Sequence, residues 1–354
     1  MDKVRIALIG YGNVGKAFAR MLMRKREYIE ETFGRTPVIT ATSTRSRGGV
    51  ICPGGLDPLL FSCGPQDAAE GGANGGPLID LPDDLFDPAL DAMAVIDSGE
   101  YDVMAELTPI DIMTGQPATD HIRRALLLQK HVITANKGPI AWAFRELRDL
   151  AARQRVQLRY EATVMDGTPV YNLARETLMG CRITEVSGIF NATTNFILTE
   201  MERGVAFEEA VEEGRRQGFV EADPSMDVDG WDAAAKLTAL MNVLMDVEIT
   251  PDRIRRTGIG GITKEDIDAA ARQGKRIKLI CRGRVEEGRP VGTVEPTLVD
   301  RESLPAVMDA TSSYVTIDTD LMGATTVIEE PFEPEIDHTA YGVLSDLLRI
   351  LKEW

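Results

Sequence analysis

Short apolar runs alternate with amphipathic stretches over the first 164 residues of the chain. Each run is rich in Val, Ile, Leu and Ala, and each following stretch repeats its apolar residues every three or four positions. Strands separated by helices in this way pair in parallel, so the pattern predicts a doubly wound α/β sheet. The predicted strands are Val4–Ile9, Pro37–Ala41, Tyr101–Leu107, His131–Ala135 and Val156–Val164, and the predicted helices are Lys16–Lys25, Thr119–Lys130 and Ala141–Arg155.

The pattern changes beyond that point, because helices dominate first and strands follow. A helix ending near Leu178 precedes a strand over Ile183–Phe190, and four later strands predict an open, mostly antiparallel sheet of the kind that often joins subunits. The further helices are predicted at Phe207–Gln217, Trp231–Met245, Lys264–Gln273 and Thr339–Glu353, and the later strands at Arg276–Val285, Val291–Leu298, Tyr314–Ile317 and Thr325–Glu329.

This change of pattern divides the chain into two domains. We expect residues 1–140 and 337–354 to form the first, with the last helix returning to it, and residues 141–336 to form an α+β second domain. Residues 48–88 are rich in Gly and Pro and have little periodicity. They are typical of a long surface excursion rather than a domain.

Composition narrows the class of protein. The chain has 354 residues and a net charge of −17, which argues against nucleic acid and anionic membranes as partners. Its four cysteines form no CxxC pair, which fits a reducing cytoplasm and gives no zinc signature. Only three histidines are present, so acid–base chemistry should rest on Lys, Asp or Glu.

A glycine fingerprint directly follows the first strand. Gly10, Gly12, Asn13, Val14 and Gly15 belong to a GxGxxG motif in its strand–turn–helix context, which predicts a Rossmann-type dinucleotide site. The glycines permit a tight turn and a close approach to a pyrophosphate, and the helix N-terminus attracts the phosphates. The alternative is a glycine-rich turn without a ligand.

The second strand indicates which nucleotide is preferred. An acid at its end would bind the ribose 2′-hydroxyl of NAD, but Thr42 to Arg47 contain none. Hydroxyls and the cations Arg45 and Arg47 suit a 2′-phosphate, so NADP is favoured and NAD stays open. Thr108 and Lys137 follow strand C-termini, where such sheets bind ligands. Each of these cations could instead be a solvated surface residue.

An acidic stretch around residues 218–236 contains the candidate catalytic pair. Asp232 and Lys236 stand four residues apart on a predicted helix, so both lie on one face. Spacing alone is more typical of a surface ion pair. The polar segment Asn191–Asn195, which includes Thr193, opens another helix and could hold a carboxylate or simply cap that helix.

Taken together, these motifs resemble the homoserine dehydrogenase family over nearly the whole chain. The resemblance implies reversible, NAD(P)-linked reduction of aspartate 4-semialdehyde to homoserine. The matching segments are Gly10–Gly15, Glu106–Pro109, Thr134–Pro139, Glu161–Val164, Gly188–Asn195 and Glu221–Lys236.

The resemblance also implies roles for individual residues. Lys236 is similar to the catalytic lysine and Asp232 to its partner. Glu221 and Asp227 are similar to substrate ligands, and Lys137 to the lysine between cofactor and substrate. An alkoxide formed by hydride transfer needs a proton and a positive charge nearby, which a lysine supplies.

The resemblance further implies a first domain that binds the dinucleotide, a second domain for catalysis and dimerisation, and a homodimer. The segment implied to hold a sodium ion, mostly by backbone oxygens, includes Glu161, Val164, Asp166 and Thr168.

Three departures from the family pattern leave alternatives open. Ala192 replaces a glycine, residues 48–88 are long, and residues 329–338 replace a glycine-rich closing turn. The carboxylates of that last segment should point away from cofactor phosphates or contact another subunit. A dehydrogenase of another amino-aldehyde, or a catalytically silent NADP-binding sensor, are the rival readings. The carboxylates in question are Glu330, Glu333, Glu335 and Asp337.

Overall fold

The computed structural model describes residues 2–61, 77–221, 223–331 and 334–354. The chain forms two compact units, Met1–Pro169 with Phe332–Trp354, and Val170–Pro331. The boundary therefore lies later than the predicted residue 140. The reason is that Leu158–Arg159 pairs with the strand at His131–Thr134 and keeps residues 141–169 with the first sheet.

The first unit contains a six-stranded sheet with the order β3-β2-β1-β4-β5-β6. Its strands are parallel except β3, which runs antiparallel to β2, so the predicted doubly wound α/β class is confirmed. The strands are β1 (Asp2–Ile9), β2 (Arg35–Thr44), β3 (Gly48–Ile51), β4 (Val103–Glu106), β5 (His131–Thr134) and β6 (Leu158–Arg159).

Helices cover both faces of this sheet. Ile6 and Leu8 of β1 lie in one apolar core, whereas Ala7 and Ile9 lie in another, as alternation along a strand requires. The closing helix packs into the first of these cores beside the first helix of the chain. The helices of this unit are α1 (Asn13–Arg24), α2 (Arg26–Phe33), α3 (Ala92–Asp97), α4 (Ala118–Leu127), α5 (Lys137–Gln154) and α13 (Glu335–Lys352).

Two sequence predictions in the first unit were wrong. The strand predicted at Val156–Val164 is only two residues long, because Glu161–Thr163 turn into a 3₁₀ helix. The 48–88 stretch is not wholly a surface excursion. It begins with β3, Asp87 bridges back to Gly49, and Phe61, Leu81 and Phe86 are buried in the core. Residues 62–76 of this stretch lie outside the described residues.

The second unit contains a second six-stranded sheet with the order β12-β11-β7-β9-β10-β8. The predicted mostly antiparallel arrangement is found, since only the short β8 pairs in parallel with its neighbour. The strands are β7 (Ile183–Ile189), β8 (Arg255–Arg256), β9 (Lys275–Glu286), β10 (Arg289–Asp300), β11 (Ser313–Thr319) and β12 (Gly323–Glu329).

One helix of this unit, α10 (Trp231–Leu244), lies very close to the sheet. Gly283 makes this possible, because a Cβ there would overlap the side chain of Met241 of α10. The helices are α6 (Val170–Thr177), α7 (Ala192–Glu202), α8 (Phe207–Gln217), α9 (Ser225–Val228), α10 (Trp231–Leu244), α11 (Lys264–Arg272) and α12 (Leu304–Val307). Within the described residues, no helix has the length and apolar character needed to cross a membrane.

Candidate active site

The glycine turn between β1 and α1 has the geometry of a phosphate-binding loop. Gly10 has φ +104°, and a Cβ there would overlap the carbonyl of Leu107. A Cβ on Gly15 would overlap the carbonyl of Gly10. A Cβ on Gly12 would meet nothing within 4 Å, so the backbone at the start of α1 is open for a ligand. Among the described residues, no side chain caps this helix start, which leaves its N–H groups suited to phosphates.

The cations predicted to select the nucleotide differ in their surroundings. Arg45 is exposed immediately after β2. The guanidinium of Arg47 donates to Asp80 Oδ1 at 3.0 Å and to Asp83 Oδ1 at 3.1 Å. Asp80 also accepts from Lys16 Nζ at 2.6 Å. Arg47 is therefore an ion-paired side chain rather than a solvated one.

The ends of β4 and β5 are joined by hydrogen bonds around a buried carboxylate. Glu106 is fully buried and accepts from the hydroxyl of Thr108 and, at 3.3 Å, from its backbone N–H. Asn136 caps α5 by accepting from the N–H of Gly138 at 3.0 Å, and its amide donates to the carbonyl of Thr108 at 3.3 Å. These bonds hold Thr108 and half-buried Lys137, the first residue of α5, at the C-terminal edge of the parallel sheet.

In the second unit, the predicted pair on α10 is formed. Lys236 Nζ lies 3.2 Å from Asp232 Oδ2 and donates to the carbonyl of Phe190 at 2.9 Å. The side chains are 22% and 11% exposed, so this is not the solvated surface pair that spacing alone allowed. The ammonium group has a fixed direction, because one acceptor lies on its own helix and the other, Phe190, directly follows β7.

Asn191 connects this pair to a second carboxylate. Its amide donates to Asp227 Oδ1 at 2.6 Å and to Asp232 Oδ2 at 3.0 Å, while its oxygen caps α7 by accepting from Thr194 N at 2.8 Å. Burial, followed by the nearby charge of Asp232, raises the pKa of Asp227. Thr193 also hydrogen-bonds to Asp227 and acts in the opposite direction. The predicted residues Asp227, Asp232, Lys236 and Thr193 thus belong to one group.

Glu221 is not part of that group in the described structure. Its side chain is exposed, and its carbonyl accepts from Arg215 Nε at 3.2 Å. Within the described residues, no hydrogen bond joins its carboxylate to Asn191 or its neighbours. Ala222, the next residue, lies outside the described ranges.

The segment predicted to hold a cation is a tight turn in the first unit. Met165 and Asp166 have φ of 54° and 49°, and the N–H of Thr168 donates to the carbonyl of Met165 at 2.9 Å. Asp166 accepts from the hydroxyl of Thr339 on α13 at 2.9 Å. Val164 and Glu161 are buried. Carbonyl, carboxylate and hydroxyl oxygens are the donors that a hard cation prefers, so the donor set fits a sodium ion.

The acidic segment 330–337 runs into the first turn of α13. Asp337 is 3% exposed and pairs with buried Arg20 of α1, so this carboxylate turns inward within the first unit. A salt bridge to a buried arginine explains why an acid is tolerated there. Glu330 is exposed. The side chains of Glu333 and Glu335 lie outside the described ones.

Sequence reasoning missed three residues of these groups. The sequence marks Asn191 only as part of a polar helix start, although Asn directly before a helix is a usual N-cap and is a signal that singles it out. Lys16 follows the glycine motif directly and was given no role. Asp80 had no local signal, because it lies in a stretch without periodicity.

An open glycine turn on a parallel sheet, and a lysine held by carboxylate and carbonyl oxygens in a second unit, define the class as a Rossmann-fold oxidoreductase. Comparisons with known proteins agree. The homoserine dehydrogenase family model matches residues 169–348. The NAD(+)-dependent homoserine dehydrogenase of Pseudomonas canavaninivorans is 36% identical, and the match covers 99% of this chain and 97% of that one.

Two further relatives point the same way. The homoserine dehydrogenase of Methanocaldococcus jannaschii is 36% identical, with 98% of both chains covered. A hyperthermophilic archaeal homoserine dehydrogenase mutant, solved in complex with NADPH, has 25% identity and a TM-score of 0.76, with 99% of this chain and 98% of that one covered. The chain belongs to the homoserine dehydrogenase family.

Proposed function

We propose that the chain catalyses the reversible, NAD(P)-linked interconversion of homoserine and aspartate 4-semialdehyde. The first unit would bind the dinucleotide and the second the amino-acid substrate. The observation that carries this proposal is the group of Asn191, Asp227, Asp232 and Lys236. It combines a directed ammonium with two carboxylates, as a carbonyl reduction on a small zwitterion requires.

The proton step is assigned to Lys236. The nicotinamide ring, when bound, supplies or accepts the hydride. During reduction the ammonium of Lys236 stabilises the negative charge that develops on the aldehyde oxygen and transfers a proton to it. During oxidation the neutral amine takes the hydroxyl proton back. Asp232 and the Phe190 carbonyl fix the direction of the amine and remain as acceptors throughout.

Substrate binding is assigned to the groups around α7 and to the acidic stretch. The substrate ammonium needs carboxylates, and Asp227 with Glu221 would provide them. The substrate carboxylate suits the N-terminus of α7, where Thr193 presents a hydroxyl. Ala192 keeps this helix start intact, so the replaced glycine does not prevent the role.

Cofactor binding is assigned to Gly10, Gly12, Asn13, Val14 and Gly15, with Thr108 and Lys137 toward the nicotinamide. We propose NADP as the preferred nucleotide, since no acid follows β2 and Arg45 is exposed at its end. A sodium ion would be held by oxygens of the segment that includes Glu161, Val164, Asp166 and Thr168. Its part is to fix this turn.

We also propose that the chain forms a homodimer and that the interface lies on the second unit. Apolar side chains exposed on its strands and turns are candidates for an interface, because large side chains of this kind are costly in water. Light scattering coupled to size exclusion should give twice the chain mass. The side chains concerned are Val285, Leu298, Leu321, Met322 and Ile328, each at least 43% exposed.

The test of the function is a spectrophotometric assay of homoserine oxidation with NADP and with NAD. We expect reduction of the nicotinamide with homoserine and none with D-homoserine or with serine, whose hydroxyl sits one carbon closer. Equal turnover of other amino-alcohols would assign a related dehydrogenase instead. Tight dinucleotide binding without any turnover would remove the catalytic assignment.

A further inference from the structure

The segment Ile79–Asp80 forms hydrogen bonds with the glycine turn and first helix, and also with the loop that follows β2. Asp80 Oδ2 accepts from Lys16 Nζ at 2.6 Å, and Oδ1 accepts from Arg47 at 3.0 Å. The hydroxyl of Tyr11, inside the glycine turn, donates to the carbonyl of Ile79 at 3.2 Å. These contacts connect residues far apart in sequence, and they bring a carboxylate to the first unit's phosphate-binding edge.

The two cations held by Asp80 stand where phosphates are bound in sheets of this type. Lys16 lies in the first turn of α1, whose N-terminus attracts a pyrophosphate. Arg47 follows the end of β2, beside which the adenine ribose binds and where an arginine accommodates a 2′-phosphate. A bound 2′-phosphate would be stabilised by the positive charge of these two side chains, but the carboxylate of Asp80 already neutralises part of that charge.

We propose that Asp80 determines nucleotide selectivity by holding Lys16 and Arg47 and opposing a 2′-phosphate. The inference rests on the proposed function only in assuming that the chain binds a nicotinamide dinucleotide. Exposed Arg45 attracts the 2′-phosphate and Asp80 works against it, so the balance between them sets the preference. NAD(H) carries the pyrophosphate but no 2′-phosphate, so its binding should depend on Asp80 less than that of NADP(H) does.

The hydrogen bond from Lys16 and the charges of Lys16 and Arg47 lower the pKa of Asp80, so the carboxylate stays ionised at neutral pH. The side chain is 58% exposed, so solvent screens its charge and the effect of removing it should be moderate. High salt should reduce the effect further.

The experiment is Asp80→Asn, which keeps the shape and removes the charge. Fluorescence titration should show NADPH binding about fivefold or more tighter, with NADH binding changed less than about twofold. The NADP-to-NAD ratio of kcat/KM for homoserine should rise by a similar factor. Asp83→Asn is the matched control, because Asp83 contacts Arg47 but not Lys16 and is 87% exposed. It should move the ratio by less than about twofold.

Several outcomes would overturn the proposal. An unchanged NADPH-to-NADH ratio in folded Asp80→Asn would do so, and so would an equal gain for both nucleotides. A loss of NADH binding would show that Asp80 holds the ribose hydroxyls instead of competing with a phosphate. If Asp80→Asn fails to fold by circular dichroism, Asp80→Ser replaces it in the same titration. A wild-type chain that binds neither nucleotide removes the proposed function as well, whereas binding without a shift in the ratio removes this inference alone.

Discussion

Two acidic groups, one in each unit, place a carboxylate in opposite surroundings. Asp80 of the first unit lies between two cations and is largely exposed, and its pKa is lowered. Asp227 of the second unit lies half-buried near Asp232, and its pKa is raised. Asp80 therefore neutralises positive charge from Lys16 and Arg47. Asp227 instead adds a second negative charge beside that of Asp232.

The difference teaches what each group is suited to receive. The second group carries two carboxylates and the single ammonium of Lys236, an arrangement that favours an added cation such as the substrate ammonium. The first contains the cations Lys16 and Arg47 around Asp80, which favours a phosphate once the carboxylate is removed. An amino-acid substrate with an ammonium group and a cofactor with phosphate groups are the two ligands that a homoserine dehydrogenase must hold.

The largest effect is expected from Lys236→Ala. Loss of general acid–base catalysis should lower kcat by about 10²–10⁴-fold. Asp232→Ala should lower it less, because Asp232 directs the amine and does not transfer the proton. Steady-state assays of homoserine oxidation measure both. Lys264→Ala is the matched control, since Lys264 and Asp268 are also 3.2 Å apart at i and i+4, but on the solvent side of α11. Near-normal turnover in Lys236→Ala would exclude Lys236 as the general acid–base and leave the ion pair with Asp232 a structural role only.

The second effect concerns Asp227. Asp227→Asn removes one of the two negative charges while the amide of Asn191 still has Asp232 to bond, so the KM for homoserine should rise about tenfold or more. We expect kcat to change less, because the lost contact is made in the ground state as well as the transition state. Asp223→Asn is the control. Asp223 is exposed, and its Oδ1 accepts from the backbone N–H of Ser225 at 3.0 Å, so its loss should leave KM within about twofold. An unchanged KM in Asp227→Asn would exclude Asp227 from substrate binding.

Contacts between residues close in sequence could be predicted in both groups, whereas contacts between distant residues could not. Asp232 and Lys236 could be paired beforehand, because helix geometry brings i and i+4 together. The helix at Phe207–Gln217 was predicted with its observed bounds, and left-handed Gly218 ends it there. Asp80 meets Lys16 across 64 residues of chain, which no local rule connects.

The same reasoning explains the remaining errors. The apolar run at Val156–Val164 resembles a strand, but only two of its residues find a partner on β5. Periodicity alone cannot distinguish a short run of this kind from a helical segment, and its second half contains the 3₁₀ helix Glu161–Thr163. Asp337 could not be assigned to Arg20 either, because the two are 317 residues apart and belong to different helices.

A smaller effect tests the cationic side of the comparison. The double variant Arg45→Ala/Arg47→Ala should weaken NADPH binding by roughly tenfold and leave NADH binding nearly unchanged. We expect Arg45→Ala to cause more of the loss, because Asp80 and Asp83 already hold Arg47. Fluorescence titration with both nucleotides measures this, and Arg272→Ala on α11 is an exposed control. Equal losses for both nucleotides would refute the assignment of a 2′-phosphate contact.

The smallest effect is on stability, and the two carboxylates should differ in its dependence on pH. The folded-state pKa of Asp227 lies above its usual 3.8, so folding disfavours its ionised form. Its contribution to the free energy of unfolding is fully present below pH 3.8 and is lost as the pH rises through the folded-state pKa. The folded-state pKa of Asp80 lies below 3.8, so its contribution is present above that pH and is lost only as the pH falls further.

Denaturant unfolding from about pH 4 to about pH 7.5 separates these signs. The stability of wild type relative to Asp227→Asn should fall over this range, by about 1.4 kcal/mol for each unit by which the pKa is raised. The stability of wild type relative to Asp80→Asn should rise slightly up to about pH 5 and stay flat above it, since Asp80 is then ionised in both the folded and the unfolded chain. Parallel curves for the two variants would mean that the pKa values of Asp227 and Asp80 are not shifted in opposite directions, and the comparison between the two groups would fail.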